Sequence, residues 1–233
     1  MMMSMKNNVK LVLIDITKAF LESKLKEDIY IEVPKGYSDV LKAENMSDKV
    51  IKLNRAVYGL KQASRCFFEH ITSFFKNSLH YESFQSDPCL LKSKKGDKCP
   101  TICGIYVDDI LMCGEEESIK RDIELIKKKF DITVDVDFED YVGCEVVKKE
   151  DMIHIHQKKL IDKLLKEFSP EIEDNTKGTP MGIHEHSIMP DENEDDNLLK
   201  RYQHGVGCLL YLVKLSRPDI NNCVRELSKF MTK

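Results

Sequence analysis

No hydrophobic run in this chain is long enough to cross a bilayer, and no apolar signal region follows the Met-rich start Met1-Met2-Met3-Ser4-Met5-Lys6. Membrane-spanning and secreted classes are set aside on that basis, and the expectation is an intracellular, cytoplasmic protein without a membrane partner. Eight cysteines are present, yet no Cys-x-x-Cys pair and no regular spacing organises them. Zinc ribbons and disulfide frameworks both need such order, so reduced and mostly buried thiols are expected. Internal repeats are absent. A strong excess of one charge is absent too, because the formal charge is only −4. That charge is unevenly spread. Residues 171–197 hold nine acids against Lys177, a net of −8, which leaves +4 on the remainder. A mildly basic body permits a phosphate-binding surface without demanding one.

With 233 residues the chain is long enough for a real core, as one domain or one with a smaller appendage. Residues 101–114 read Thr-Ile-Cys-Gly-Ile-Tyr-Val-Asp-Asp-Ile-Leu-Met-Cys-Gly. Apolar arms around a short acidic centre, with Gly104 and Gly114 at the margins, predict a β-hairpin. Two readings of Asp108 and Asp109 stand at this point. They are turn formers, or they are carboxylates in a half-buried run whose charge a divalent metal compensates.

A second acid, Asp15, ends the β-prone run at residues 9–16, and strands are also predicted at 29–33 and 50–53. After Tyr58-Gly59-Leu60 the period becomes helical, with Phe67, Ile71, Phe74, Phe75 and Ser78 on one face. Another helix follows the acidic hairpin. Glu115, Glu116 and Glu117 open it and Lys127, Lys128 and Lys129 close it, as the helix dipole favours. Strict alternation at 131–137 predicts a strand, and 141–147 with 152–156 a hairpin whose His154 and His156 share an exposed face. A basic amphipathic helix follows at 158–168. The acidic stretch 171–197, with Pro180 and Pro190, reads as a linker, and its His184-Glu185-His186 as surface. Two helices close the chain, at 198–215 and from Ser216-Arg217-Pro218, where Ser216 suits a cap and Pro218 the first turn. The fold class is α+β, with helices on one face of an antiparallel sheet. Neighbouring strands of that sheet could bring Asp15 beside Asp108. Two carboxylates so placed repel unless cations bridge them, which is what a two-metal phosphoryl-transfer site needs.

Tyr106-Val107-Asp108-Asp109 resembles the catalytic hairpin of reverse transcriptases, and Asp15-Ile16-Thr17-Lys18-Ala19-Phe20-Leu21 resembles their first catalytic motif in its copia-type retrotransposon form. Residues 29–37, 57–63 and 141–146, Thr179-Pro180 and residues 216–220 extend the resemblance over nearly the whole chain from Val9. It implies a right-hand polymerase: a palm with truncated fingers at 1–147, the primer-grip hairpin end and thumb helix at 148–170, an acidic flexible linker at 171–197 and a helical connection at 198–233. The implied activity is template-directed DNA synthesis from deoxynucleoside triphosphates on an RNA or DNA template with a primer.

In that resemblance Asp15 and Asp108 hold two Mg2+ ions, for which Mn2+ can substitute, and Asp109 supports them. Phe20 matches the ring that excludes a ribose 2′-hydroxyl, although a core Phe is the plainer reading. Gly59 matches a loop whose backbone approaches the nucleotide, against a plain turn glycine, and Tyr106 belongs to the same nucleotide site. Lys61 and Arg65 match phosphate contacts, Gly143 the primer grip, and Lys158, Lys159 and Lys163 a thumb helix that tracks a duplex backbone. Lys61 and Arg65 could equally be solvated charges, and for the lysines of the 158–168 helix an ordinary solvated face is the commoner explanation.

The chain departs from the family in three places: Ser64 replaces a usual Pro, the cluster near Phe67-Phe68 lacks a Trp, and residues that grip the triphosphate upstream of Asp15 have no counterpart. Ribonuclease H, integrase and protease regions are not matched either. A polyprotein fragment, housed in a virus-like particle if the parent element is active, is the expectation. The alternatives are a catalytically inactive transposon remnant that at most binds nucleic acid, and an unrelated metal-dependent phosphohydrolase. The sequence leaves oligomeric state open.

Overall fold

A computed structural model describes residues 10–37, 49–94, 100–149, 152–168 and 196–231. The chain is α+β and divides into two compact units, 1–138 and 139–233.

In the first unit a six-stranded antiparallel sheet runs in the order β4-β5-β6-β7-β1-β8. Its strands are β1 (Lys10–Ile16), β4 (Tyr81–Ser83), β5 (Leu90–Ser93), β6 (Ile102–Tyr106), β7 (Asp109–Gly114) and β8 (Ile132–Asp135). Helix α1 (Ala63–Ser78) buries Phe67, Ile71 and Phe75, four residues apart on one stripe. Helix α2 (Glu116–Lys127) buries Ile119, Ile123 and Ile126, with Glu116 and Glu117 in its first turn and Lys127 in its last. Alternate strand residues Val12, Ile14, Ile16, Cys103, Ile105, Ile110 and Met112 join them in one core. A polar tie runs through this core, where the Tyr81 hydroxyl donates to Asp122 Oδ2 at 2.7 Å. Burial and the adjacent Asp122 carboxylate push the Tyr81 phenol far above its usual range.

A separate two-stranded ribbon pairs β2 (Lys24–Glu32) with β3 (Val50–Arg55). Strand β2 starts five residues earlier than the alternation at 29–33 suggests, because the Lys24↔Arg55 pairing extends it past an irregularity in register. Strands β4 and β5 carry no strong local pattern, and pairing with their neighbours makes them strands.

The second unit contains the three-stranded sheet β9 (Asp140–Tyr141), β10 (Cys144–Lys148) and β11 (Ile153–His156), with β10 central. Helices α3 (Lys158–Phe168), α4 (Asp196–Leu215) and α5 (Asn221–Ser228) follow. Helix α4 ties the others together. Arg201 Nη2 donates to the Glu167 carbonyl at 2.9 Å, Tyr202 Oη to Leu227 O at 2.7 Å and Gln203 Nε2 to Met231 O at 2.7 Å. The last helix opens at Asn221 rather than at Ser216. Pro218–Ile220 forms a 3-10 turn instead, held by an Arg217–Asp219 ion pair at 2.7 Å, and the Ser216 hydroxyl donates to Gln157 Oε1 at 2.7 Å. The expected linker lies outside the described residues except for Asp196 and Asn197, as do Thr179-Pro180 and His184-Glu185-His186.

Candidate active site

Strand β1 is central enough to be buried on one face, and its alternation turns Asp15 to the other. Its antiparallel register with β7 sets Asp15 directly opposite Asp109. Tyr106 faces Asp109 across the β6–β7 hairpin, and Asp15 faces Thr133 on β8. Tyr106, Asp109, Asp15 and Thr133 therefore form one transverse row on one face of the sheet. Asp108 sits in the hairpin turn itself, and the Ile16 N–H donates to its carbonyl at 3.0 Å, fastening the turn to the end of β1.

The turn is held under strain. Val107 has φ 55°, a conformation β-branched residues rarely adopt, at a cost of about 1–3 kcal/mol. A glycine would relax it, so the tight two-residue turn is imposed by the pairing on either side.

Electrostatics record the crowding. Burial, then the Asp108 charge, raises the Asp15 carboxyl above its ordinary value. Burial, then Asp108 and Asp15, does the same to Asp109. No lysine or arginine of the described residues forms an ion pair with any of the three. Like charges are neighbours here with no counter-charge among the described residues, although such pairs are costly in folded proteins.

Residues 1–183 match the family model described as "Reverse transcriptase (RNA-dependent DNA polymerase)". The chain belongs to the reverse transcriptase family. It is 30% identical over 233 residues to the retrovirus-related Pol polyprotein from transposon TNT 1-94 of Nicotiana tabacum, a match covering 94% of this chain and 17% of that protein. The corresponding polyprotein from transposon RE2 of Arabidopsis thaliana is 27% identical over 230 residues, covering 94% of this chain and 14% of its own length. The Ty1-DR4 Gag-Pol polyprotein of Saccharomyces cerevisiae is 30% identical over 133 residues, covering 57% of this chain and 8% of its own. The chain thus spans less than a fifth of the length of each of these three relatives.

In this reverse transcriptase domain the chain leaves β1 through Thr17, whose N–H donates to Asp131 O at 2.9 Å, and turns at Lys18 with φ 54°. That turn drives Ala19 and Phe20 into the core. Phe20 is only 8% exposed, packed against Phe67 with ring centroids 6.4 Å apart and against Tyr58 at 4.6 Å. Tyr58 is 60% exposed and forms the outer layer of that stack. Its neighbour Gly59 has φ 96°, with open space where a side chain would be. Lys61 is exposed beyond it. Arg65 is engaged instead, its Nε on Glu69 Oε1 at 3.0 Å.

Among the described residues no three carboxylate, imidazole or thiol groups converge to hold an ion on their own. The Asp15, Asp108 and Asp109 carboxylates could still supply part of an Mg2+ shell. The ion prefers one or two carboxylates, with substrate phosphate oxygens and water filling its octahedron, and mutual repulsion of Asp15, Asp108 and Asp109 makes a cation favourable.

In the second unit the Val142–Gly143 turn joins β9 to β10, with Cys144 opposite Tyr141. Lys158, Lys159 and Lys163 lie exposed on α3. Lys159 reaches Asp140 at 3.1 Å. His154 and His156 stand 5.1 Å apart by ring centroid, as expected of neighbours on one strand face, and His156 Nδ1 lies 2.6 Å from Glu145 Oε2. Glu145, which the sequence did not single out, accepts from the Lys158 and Lys159 N–H groups at 2.8 and 3.1 Å and so caps the first turn of α3 from the sheet. Burial pushes its carboxyl up, but these two bonds and His156 together hold it below the usual range.

Proposed function

We propose that this chain is the catalytic core of a reverse transcriptase, and that its acidic edge performs template-directed nucleotidyl transfer. The Asp15↔Asp109 register, with Asp108 in the adjoining turn and no ion-paired lysine or arginine among the described residues, carries that reading. Asp15 and Asp108 would hold two Mg2+ ions, for which Mn2+ can substitute, and Asp109 would support them. Ions so held would acidify the primer 3′-hydroxyl and neutralise the departing pyrophosphate. No side-chain nucleophile is needed.

The first unit acts in this reading as the palm. Tyr106 and the Phe20–Tyr58 stack line the nucleotide side, where bulk beside the sugar disfavours a 2′-hydroxyl. The bare backbone at Gly59 lets the base pair approach, and Lys61 and Arg65 meet phosphate; Arg65 exchanges its contact with Glu69 to do so. In the second unit the Gly143 turn is the primer grip and α3 the thumb helix, with Lys158, Lys159 and Lys163 following the duplex backbone without reading sequence. An RNA or DNA template, a primer and deoxynucleoside triphosphates are the substrates.

The test is Mg2+-dependent extension of a DNA primer on an RNA template, with Asp108→Asn as control. Extension by the wild-type chain and none by the variant is the expected result. Extension that survives Asp108→Asn removes the assigned role. Salt-sensitive duplex binding without incorporation, even at high nucleotide concentration, favours a catalytically silent remnant.

A further inference from the structure

The β9–β10 turn is built from two residues in left-handed backbone, Val142 at φ 47° and Gly143 at φ 70°, which makes it a type I′ hairpin turn. Glycine or asparagine normally fills both positions. Valine at the first is strained, and strain of this kind persists only where surrounding structure over-determines the conformation. Strand β9 contributes only two residues to the ladder, Asp140 and Tyr141. So short a ladder does little to impose an unfavourable turn.

The constraint comes from α4. Tyr211, 69 residues further along the chain, donates its hydroxyl to the Val142 carbonyl at 2.9 Å. The same oxygen lies against Gly143, where an added Cβ would stand 2.5 Å from Tyr211 Oη and 3.4 Å from its Cζ. One phenol thus binds the carbonyl of the strained residue and covers the face of the next, leaving room only for glycine. Tyr211 as a whole residue remains 39% exposed.

We propose that Tyr211 is a positioning residue for the primer: it locks the Val142–Gly143 turn in the one conformation that presents its backbone to the primer end. This role rests on the polymerase reading above. Through it the hairpin and α4 move as one piece, so the turn is presented by a helix rather than by a free loop.

Tyr211→Phe in the full chain separates the role from that reading. Without nucleic acid, amide exchange over residues 141–144 is expected to quicken about fivefold, the effect of one lost intramolecular hydrogen bond, with the melting temperature nearly unchanged. With a labelled DNA primer on an RNA template, the primer–template KM is expected to rise while the nucleotide KM stays at the wild-type value; a purely structural residue would shift both KM values together with the melting temperature. Gly143→Ala is expected to produce the same primer–template defect, and Tyr211→Phe is expected to relieve part of it by removing the oxygen that meets the new Cβ.

Unchanged exchange over 141–144 overturns the positioning role, as does quickened exchange with an unchanged primer–template KM, and in both cases the polymerase reading stands. A wild-type chain that neither binds nor extends the primer–template overturns both.

Discussion

Asp15 and Asp109 face each other across the β1–β7 ladder, each with a carboxyl held above its ordinary value by burial and by neighbouring aspartates. A position paired in a ladder cannot move its charge away without breaking the ladder. Repulsion is therefore part of the fold, and it favours any ligand that neutralises it.

Removing one of these charges is expected to stabilise the fold at neutral pH. The folded-state pKa lies above the unfolded value, about 3.9 for aspartate, so the folded form binds protons more tightly. Its contribution is favourable below that value and is lost as pH rises through the folded pKa. Asp15→Asn, exposed and partly screened, is expected to gain about 0.5 kcal/mol at neutral pH and nothing in strong acid. Urea unfolding of both proteins across the acid range reads the difference directly.

The Tyr81–Asp122 tie joins β4 to α2 inside the core. Tyr81→Phe keeps the ring and removes a donor from a buried carboxylate. A loss of about 1–3 kcal/mol is expected, visible as a lower urea midpoint with an unchanged slope.

Phe20 is buried, and in the proposed reading it stands beside the sugar of the incoming nucleotide. Phe20→Ala is expected to cost about 3–5 kcal/mol of stability, so discrimination must be measured on folded protein below its melting range. The ratio of ribonucleotide to deoxynucleotide incorporation is expected to rise. An unchanged ratio would leave Phe20 as a core residue only.

Local pattern made much of this fold legible. The apolar run ending in Asp15, the acidic hairpin and the stripes of α1 and α2 each bury side chains at their own period. Antiparallel pairing of β1 with β7 was implicit in two apolar strands each carrying an acid, but the register that sets Asp15 against Asp109 is a property of the sheet and has no local signal. Strands β4 and β5 were not legible, since a three-residue strand is defined by its partner. At the site, the Asp108 pair and the turn glycines Gly59 and Gly143 stood out by type and context. Tyr58 was visible only as part of a motif; Glu145 and Tyr211 were not visible as site-supporting groups. Glu145 acts on N–H groups 13 and 14 residues away and Tyr211 on a carbonyl 69 away, distances at which residue type says nothing about contact.

The most direct measurement is paramagnetic broadening of backbone amides by Mn2+ in the labelled chain. Broadening is expected at two segments distant in sequence, around Asp15-Ile16 and around Asp108-Asp109-Ile110, and Asp15→Asn is expected to weaken it at both. Broadening confined to the acidic residues 191–196, or unaffected by Asp15→Asn, would contradict a shared ion site on this edge.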